Sequence, residues 1–289
     1  MSIIIDKSSV ILVQGITGRQ GSFHTAQMLA YGANVVAGVS PGKGGQRVHQ
    51  VPVYDTVAQV LEEHPITASI IFIPAPGVKD AAFEAMSSGI KTLIIITEHV
   101  PLHDALDIMA YGEKHQVTII GPNTFGIISP GSSKMGIMPN SIYKPGPVGV
   151  VARSGTLSYE IVYNLTVNEI GQSTIVGLGG DRVVGLSFTD VLKKFEQDPE
   201  TKVVVLVGEI GGNAEEEAAL YIREMSKPVI AFLAGSSAPP GKRMGHAGAI
   251  IERGRGTFQS KVEALNGAGA RVADLPWQVA DIIKEVLKL

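Results

Sequence analysis

Cysteine is absent from all 289 residues. That excludes disulfides and every thiolate metal site, and it fits an intracellular protein. Charge of one sign is not in excess either: the net charge is −3 and the pI about 6.2. With no basic footprint, nucleic acid is not expected as a partner. The opening MSIIIDKSSV carries a charge at Asp6 and lacks the apolar stretch of a signal peptide. The longest apolar runs, TLIIIT and VVVLV, fall far short of a membrane span, so a cytoplasmic protein with no membrane partner is expected. No G-x-x-x-x-G-K-[ST] phosphate loop occurs, and no short-period repeat.

What is present is a regular alternation. Short apolar runs, read as buried parallel strands, alternate with helical stretches: SVILVQ, NVVAGVS, ASIIFIPA, TLIIITE and VTIIGPN form the first series. A Gly- and Pro-rich passage, GPNTFGIISPGSSKMGIMPNSIYKPGP, then interrupts it with little periodicity. The alternation resumes with VGVVARSG, STIVGLGGD, VVVLVGE and PVIAFLAG. The pattern predicts two doubly wound α/β domains, over 1–123 and 148–289, joined by a crossing over 124–147.

The first motif is QGITGRQGSFH. Gly15, Gly18 and Gly21 stand three apart at a strand-to-helix turn. Such a turn either presents backbone N–H groups to a phosphate or is a tight connection only. The spacing differs from the G-x-G-x-x-G of dinucleotide sites. A nicotinamide site also wants a carboxylate at the end of the second strand, for the ribose. Here that strand ends Val39-Ser40-Pro41. The next loop, PGKGG, offers Lys43 instead, either a solvated turn lysine or a second phosphate contact. A ligand with phosphates at separated positions, such as coenzyme A, suits the second reading. The strand ends IPAPG and ITEHV complete one rim beyond the carboxyl edge of the sheet.

In the second half, ARSGTLSYE places Ser154, Gly155 and Thr156 between a strand and a helix. They form either an ordinary N-cap or an anion seat. Glu215, Glu216 and Glu217 suit the positive end of a helix. Glu209 ends the very apolar strand VVVLVGE, as a solvated acid or as a carboxylate that fixes an imidazole tautomer. Further on, GKRMGHAGAII surrounds His246 with small residues and two cations, an open setting with little to pack against the ring. The other histidines (His24, His49, His64, His99, His103 and His115) show no metal spacing and read as structural or solvated, so no metal ligands are assigned.

Over nearly its whole length the chain resembles the α subunits of succinyl-CoA synthetase (succinate–CoA ligase). GKRMGHAGAII, GEIGG, RSGTL, PGKGG and the TG-x-x-G turn stand in that family's order and spacing. The resemblance implies a Rossmann-like CoA-binding domain followed by a flavodoxin-like ligase domain. It implies that His246 is phosphorylated in turn by an acyl phosphate and delivers the group to a nucleoside diphosphate, with Glu209 orienting the ring. Ser154, Gly155 and Thr156 would seat the phosphate, and Tyr159 would lie near the acyl substrate. Thr17, Gly18, Arg19, Gln20, Lys43, Ile96, Thr97 and Glu98 match the family's CoA contacts.

The same resemblance implies a reversible tricarboxylic acid cycle ligase of bacterial or archaeal type. A β subunit would carry Mg2+ with ATP or GTP, in an αβ or (αβ)2 assembly. Two segments depart from the pattern: Thr124 and Phe125 replace Cys-Pro, and GGDRVVGLSF brings Arg182 and Leu186 in place of GGDP and a small-residue loop. Both fall where the family keeps its catalytic centre, so malate stands as an alternative to succinate. A nicotinamide oxidoreductase conflicts with the missing ribose acid, and a non-catalytic CoA-binding regulator has no need of the His246 loop.

Overall fold

The computed structural model describes every residue except Met1, Pro240 and Arg253. The first half of the chain builds a seven-stranded sheet from β1 (Ile11–Gln14), β2 (Val35–Val39), β3 (Arg47–Val48), β4 (Val51–Tyr54), β5 (Ala68–Ile71), β6 (Thr92–Ile95) and β7 (Thr118–Ile120). The spatial order is β3-β4-β2-β1-β5-β6-β7. Every pairing is parallel except the small β3–β4 hairpin. Helices α1 (Arg19–Tyr31), α2 (Val57–Glu63), α3 (Val78–Ser87) and α4 (Leu102–Lys114) provide the crossovers. The strand order reverses beside β1, so the Gly15–Gly21 turn sits at the switch point where open α/β sheets bind ligands.

The second sheet has the order β14-β13-β12-β10-β11-β8-β9. It is formed by β8 (Gly126–Ser129), β9 (Ser133–Gly136), β10 (Pro145–Ala152), β11 (Gln172–Gly177), β12 (Val203–Glu209), β13 (Val229–Ala234) and β14 (Arg271–Ala273). Helices α5 (Gly155–Val167), α6 (Phe188–Gln197), α7 (Ala214–Ile222), α8 (Phe258–Gly267) and α9 (Gln278–Leu287) accompany it. Val148 to Ala152 of β10 pair in parallel with Val203 to Val207 of β12. This register brings Ser154 and Glu209 to one carboxyl edge, again at a reversal of strand order.

The passage 124–147 is not structureless. It holds β8 and β9, an antiparallel hairpin that extends the second sheet beyond β11. Both strands are fully buried, but each is four residues long and they turn through Pro130 and Gly131. Glycine is required at Gly126, whose φ is +99° and where a Cβ would come within 2.1 Å of the Met135 carbonyl. Strands this short carry no readable period, and their Gly and Pro content resembles that of a loop. The same brevity hides the β3–β4 hairpin.

The chain joins its halves by direct backbone bonding between the segments that follow β6 and β7 in the first sheet and β11 in the second. Gly121 N–H donates to Leu178 O (3.1 Å), Asn123 N–H to Thr97 O (2.9 Å) and Gly180 N–H to Asn123 O (3.1 Å). The two carboxyl edges therefore face a shared space. Among the described residues, no helix is long and apolar enough to cross a membrane.

Candidate active site

The Gly15–Gly21 turn is shaped by close backbone approach. Gly15 has φ +83°, and a Cβ on Gly21 would meet Gly15 O at 2.2 Å. Gly18 caps α1 without a side-chain hydrogen bond, leaving first-turn N–H groups at the exposed end of the helix. Thr17 Oγ1 donates to Ser40 Oγ at 3.0 Å, tying this turn to the end of β2. Beside them lies a cavity of about 560 Å³ lined by Thr17, Ser40, Lys43 and Glu84, among others. Gly18 and Arg19 stand exposed next to it.

A second cavity, of about 600 Å³, lies between the two carboxyl edges. The first sheet contributes Gln20, Ile96, Thr97 and Glu98, and the second Ser154, Gly155, Thr156, Tyr159 and His246. Ile73 lines both cavities. Of the residues matched to CoA contacts, Thr17 and Lys43 line the first cavity and Gln20, Ile96, Thr97 and Glu98 the second, beside His246, while Gly18 and Arg19 line neither. Thr97 Oγ1 donates to Ile73 O at 2.6 Å, which fixes the strand ends of this rim.

His246 sits on the wall of the second cavity. Its Nδ1 is 3.0 and 2.8 Å from the two oxygens of Glu209. The His246 side chain keeps 29% exposure against 7% for Glu209, so the ring is reachable while its partner is sealed. The Glu209 hydrogen bond raises the His246 pKa above the ordinary histidine value, against the opposing effect of burial. A carboxylate accepting from Nδ1–H leaves the lone pair of the neutral ring on Nε2.

Two glycines make room for this loop. A Cβ on Gly180 would stand 2.6 Å from His246 Cγ, and one on Gly211 (φ +93°) 2.0 Å from Gly248 O. Gly248 N–H donates to Gly180 O at 3.2 Å. The loop is therefore open at Lys242 and Arg243, which are exposed, but docked from His246 onward.

Ser154 is the N-cap of α5, and its Oγ accepts from Leu157 N–H at 3.4 Å. Capping takes one amide of the first turn. The helix start still points toward the space beside His246, so the cap and the anion seat are compatible. Tyr159 packs edge-on to Phe125 with ring centroids 5.7 Å apart, and burial pushes its phenol pKa up.

Several residues escaped the sequence reading. Arg153, one position before the quoted Ser154, is almost buried, with Nε 3.6 Å from Glu209 Oε1. Asn123 Nδ2 donates to Asp181 Oδ1 at 2.9 Å, which links the two halves. Their motifs, GPN and GGD, were visible, but nothing in spacing tells that they meet. His24 is half-buried in the second cavity, stacked on Phe72, and its Nδ1 has no hydrogen-bond partner. Burial lowers its pKa to about 4.

The two departures separate. Thr124 and Phe125 line the cavity that holds His246. Arg182 instead lines a different cavity, of about 800 Å³, and pairs with Glu252 at 2.7 Å. Its Nε also donates to Ala247 O at 3.4 Å. Glu215 differs from its expected role as well: it is fully buried and bonded to the backbone of Glu209.

Comparison with known proteins agrees with this layout. The family model of CoA-binding domains matches residues 6–99, and that of CoA-ligase domains matches residues 151–271. Among solved structures, ATP citrate lyase from Methanothrix soehngenii, in complex with citrate and coenzyme A, superposes with a TM-score of 0.88. At 24% identity that likeness concerns the fold; it covers 99% of this chain and 52% of that one, about half its length. Succinate–CoA ligase (ADP-forming) subunit alpha 2 of Archaeoglobus fulgidus is 58% identical over 287 residues, covering 99% of this chain and 100% of the relative. The corresponding α subunit of Methanothermobacter thermautotrophicus is 59% identical over 285 residues, covering 99% and 97%. The chain belongs to the succinate–CoA ligase α-subunit family.

Proposed function

We propose that this chain is the phosphoryl-carrying half of a reversible acid–CoA ligase, succinyl-CoA + phosphate + NDP to succinate + CoA + NTP. The observation that carries the reading is the bidentate approach of Glu209 to His246 Nδ1. It supports a neutral ring whose Nε2 lone pair is ready to attack.

Coenzyme A supplies the thioester. Thr17 and Lys43 of the first cavity, with Gln20, Ile96, Thr97 and Glu98 of the second, are suited to hold it. Phosphate displaces the thiol and gives an acyl phosphate and free CoA. His246 Nε2 then attacks phosphorus and the P–O bond to the acyl group breaks. The carboxylate leaves with that electron pair. The phosphorylated ring keeps its Nδ1 proton and is cationic, and the Glu209 carboxylate stabilises it. The amides of Gly155 and Thr156 at the start of α5 are placed to seat the phosphoryl oxygens, with the helix dipole favouring the anion. Transfer to a nucleoside diphosphate returns the ring to its neutral form.

The nucleotide site, with Mg2+, is assigned to a β subunit, in an αβ or (αβ)2 assembly. The relatives are named as ADP-forming, so ATP is the first nucleotide to test. Succinate is the proposed acid and a tricarboxylic acid cycle step the proposed setting; malate is the second reading, because Thr124 and Phe125, which depart from the family's Cys-Pro, line the cavity beside His246. The test combines this chain and its β subunit with CoA, ATP or GTP and a panel of dicarboxylates, following diphosphate release. No release with any dicarboxylate would overturn the proposal.

A further inference from the structure

Behind Glu209 lies a buried charge cluster that the phosphoryl chemistry does not use. Pairing of β12 with β10 ends at Val207. Two residues later the Glu209 N–H donates to Glu215 Oε1 at 3.1 Å. The other oxygen of Glu215 takes the Lys261 ammonium, and both side chains have zero exposure. Lys261 also reaches Glu216 Oε2 at 3.0 Å, and Ser260 Oγ donates to Glu216 Oε1 at 3.0 Å.

The strand itself leaves space for this arrangement. A Cβ on Gly208 would fall 2.7 Å from Glu215 Oε1 and 2.8 Å from its Cγ. The cluster also spans the right elements. Glu215 is in the first turn of α7, and Lys261 is on α8, the helix that follows the His246 loop. The turn before α7 is bonded to the turn before α8: Gly211 N–H donates to Gly256 O at 2.8 Å.

A buried ion pair is a poor device for stability, because its attraction is largely offset by desolvation. Its usual merit is to fix one arrangement. Here one carboxylate joins the last amide of the strand that carries Glu209 to the helix that closes the His246 loop. We propose that Glu215 and Lys261 are positioning residues that hold the Glu209 carboxylate on His246 Nδ1, an inference that rests on the phosphohistidine reading. The bond that matters is the acceptor at Glu215, and the Lys261 charge keeps that carboxylate buried and in place.

Two double variants separate acceptor from charge. E215Q/K261M removes both charges and keeps a carbonyl oxygen for the Glu209 N–H. E215L/K261M removes the acceptor as well, while filling the same space. Reconstituted with the β subunit and γ-labelled ATP, E215Q/K261M should label within about threefold of wild type. E215L/K261M should be slower by tenfold or more, as expected when a catalytic group is displaced by a fraction of an ångström. The 15N shifts of His246 should show the Nδ1–H form in wild type and E215Q/K261M, and a tautomer mixture in E215L/K261M. Equal labelling and equal shifts in the two variants would overturn the proposal. Should E215L/K261M fail to fold, G208A carries the same comparison by pushing the Glu215 carboxylate aside with all charges retained; a wild-type rate and ring signal there would also overturn it. If wild type itself carries no label on His246, the phosphocarrier reading falls, and the ring shifts still decide the positioning role.

Discussion

The imidazole of His246 occupies the space that a side chain on Gly180 would fill, with a Cβ there only 2.6 Å from Cγ and 2.9 Å from Nδ1. The ring cannot keep its bond to Glu209 if that space is taken. Gly180→Ala should therefore slow His246 phosphorylation by about a hundredfold, the scale expected for a misplacement near 1 Å. CoA affinity should change little, since Thr17 and Lys43 line a different cavity from His246. Acid-labile labelling with γ-labelled ATP and calorimetric titration with CoA test the two halves of this statement.

His246→Asn removes the nucleophile and keeps a small polar side chain. Label and turnover should both vanish. Glu209→Gln keeps an acceptor for Nδ1–H and loses the charge. A hydrogen bond to a charged group is worth about 1.5–3 kcal/mol against about 0.5–1.5 for the neutral one that remains, so labelling should slow by about tenfold. The label should be acid-labile and alkali-stable, as a phosphoramidate is. Label that resisted acid and sat on Ser154 or Thr156 would defeat the mechanism.

The raised pKa of His246, caused first by the Glu209 hydrogen bond, sets the pH behaviour. Only the neutral ring attacks, so labelling should fall as pH drops through the raised value. Glu209→Gln should move that midpoint to lower pH. Stability runs the other way. The contribution of the pair is fully present below the unfolded histidine value, about 6.5, and is lost as pH rises through the folded one. The melting-temperature gap between wild type and His246→Asn should therefore be widest in mild acid and close toward alkaline pH.

Lys43 borders the cavity that includes Thr17 and Ser40 and is exposed. Lys43→Glu should leave the fold intact and weaken CoA by charge reversal. An exposed pair contributes up to about 1 kcal/mol, and reversal roughly doubles the change, so a loss of up to about thirtyfold is expected. An unchanged dissociation constant would remove Lys43 from the site.

The acid is testable through Thr124 and Phe125. Thr124 Oγ1 already donates to Gly177 O at 2.6 Å and accepts from Gly126 N–H at 3.0 Å. Phe125 offers only an apolar edge. A malate hydroxyl turned onto the Phe125 ring has no hydrogen-bond partner on that ring, at a cost of about 1–3 kcal/mol. Succinate should then exceed malate in kcat/KM by about tenfold or more. The opposite preference would keep the chemistry and change the substrate.

Most of the scaffold was legible in the residues alone. Apolar runs bounded by Gly turns announce buried parallel strands, because a strand covered on both faces must be apolar throughout. A histidine among small residues and a lone acid at the end of VVVLVGE stood out because neither suits a core, but only the family resemblance paired them. Which distant groups meet is a property of the fold. Arg153 and Asp181 reach the site because the β10, β11 and β12 ends share one edge, and no local pattern encodes that register. Glu215 reads as one of three helix-start acids, yet it is the fully buried one that accepts from the Glu209 backbone, and burial of a charge depends on its neighbours. Thr124 and Arg182 stood as two departures of equal interest; the fold turned Thr124 toward His246 and Arg182 toward Glu252, because the facing of a loop is set by the backbone bonds at Gly121, Asn123 and Gly180 and not by its own composition.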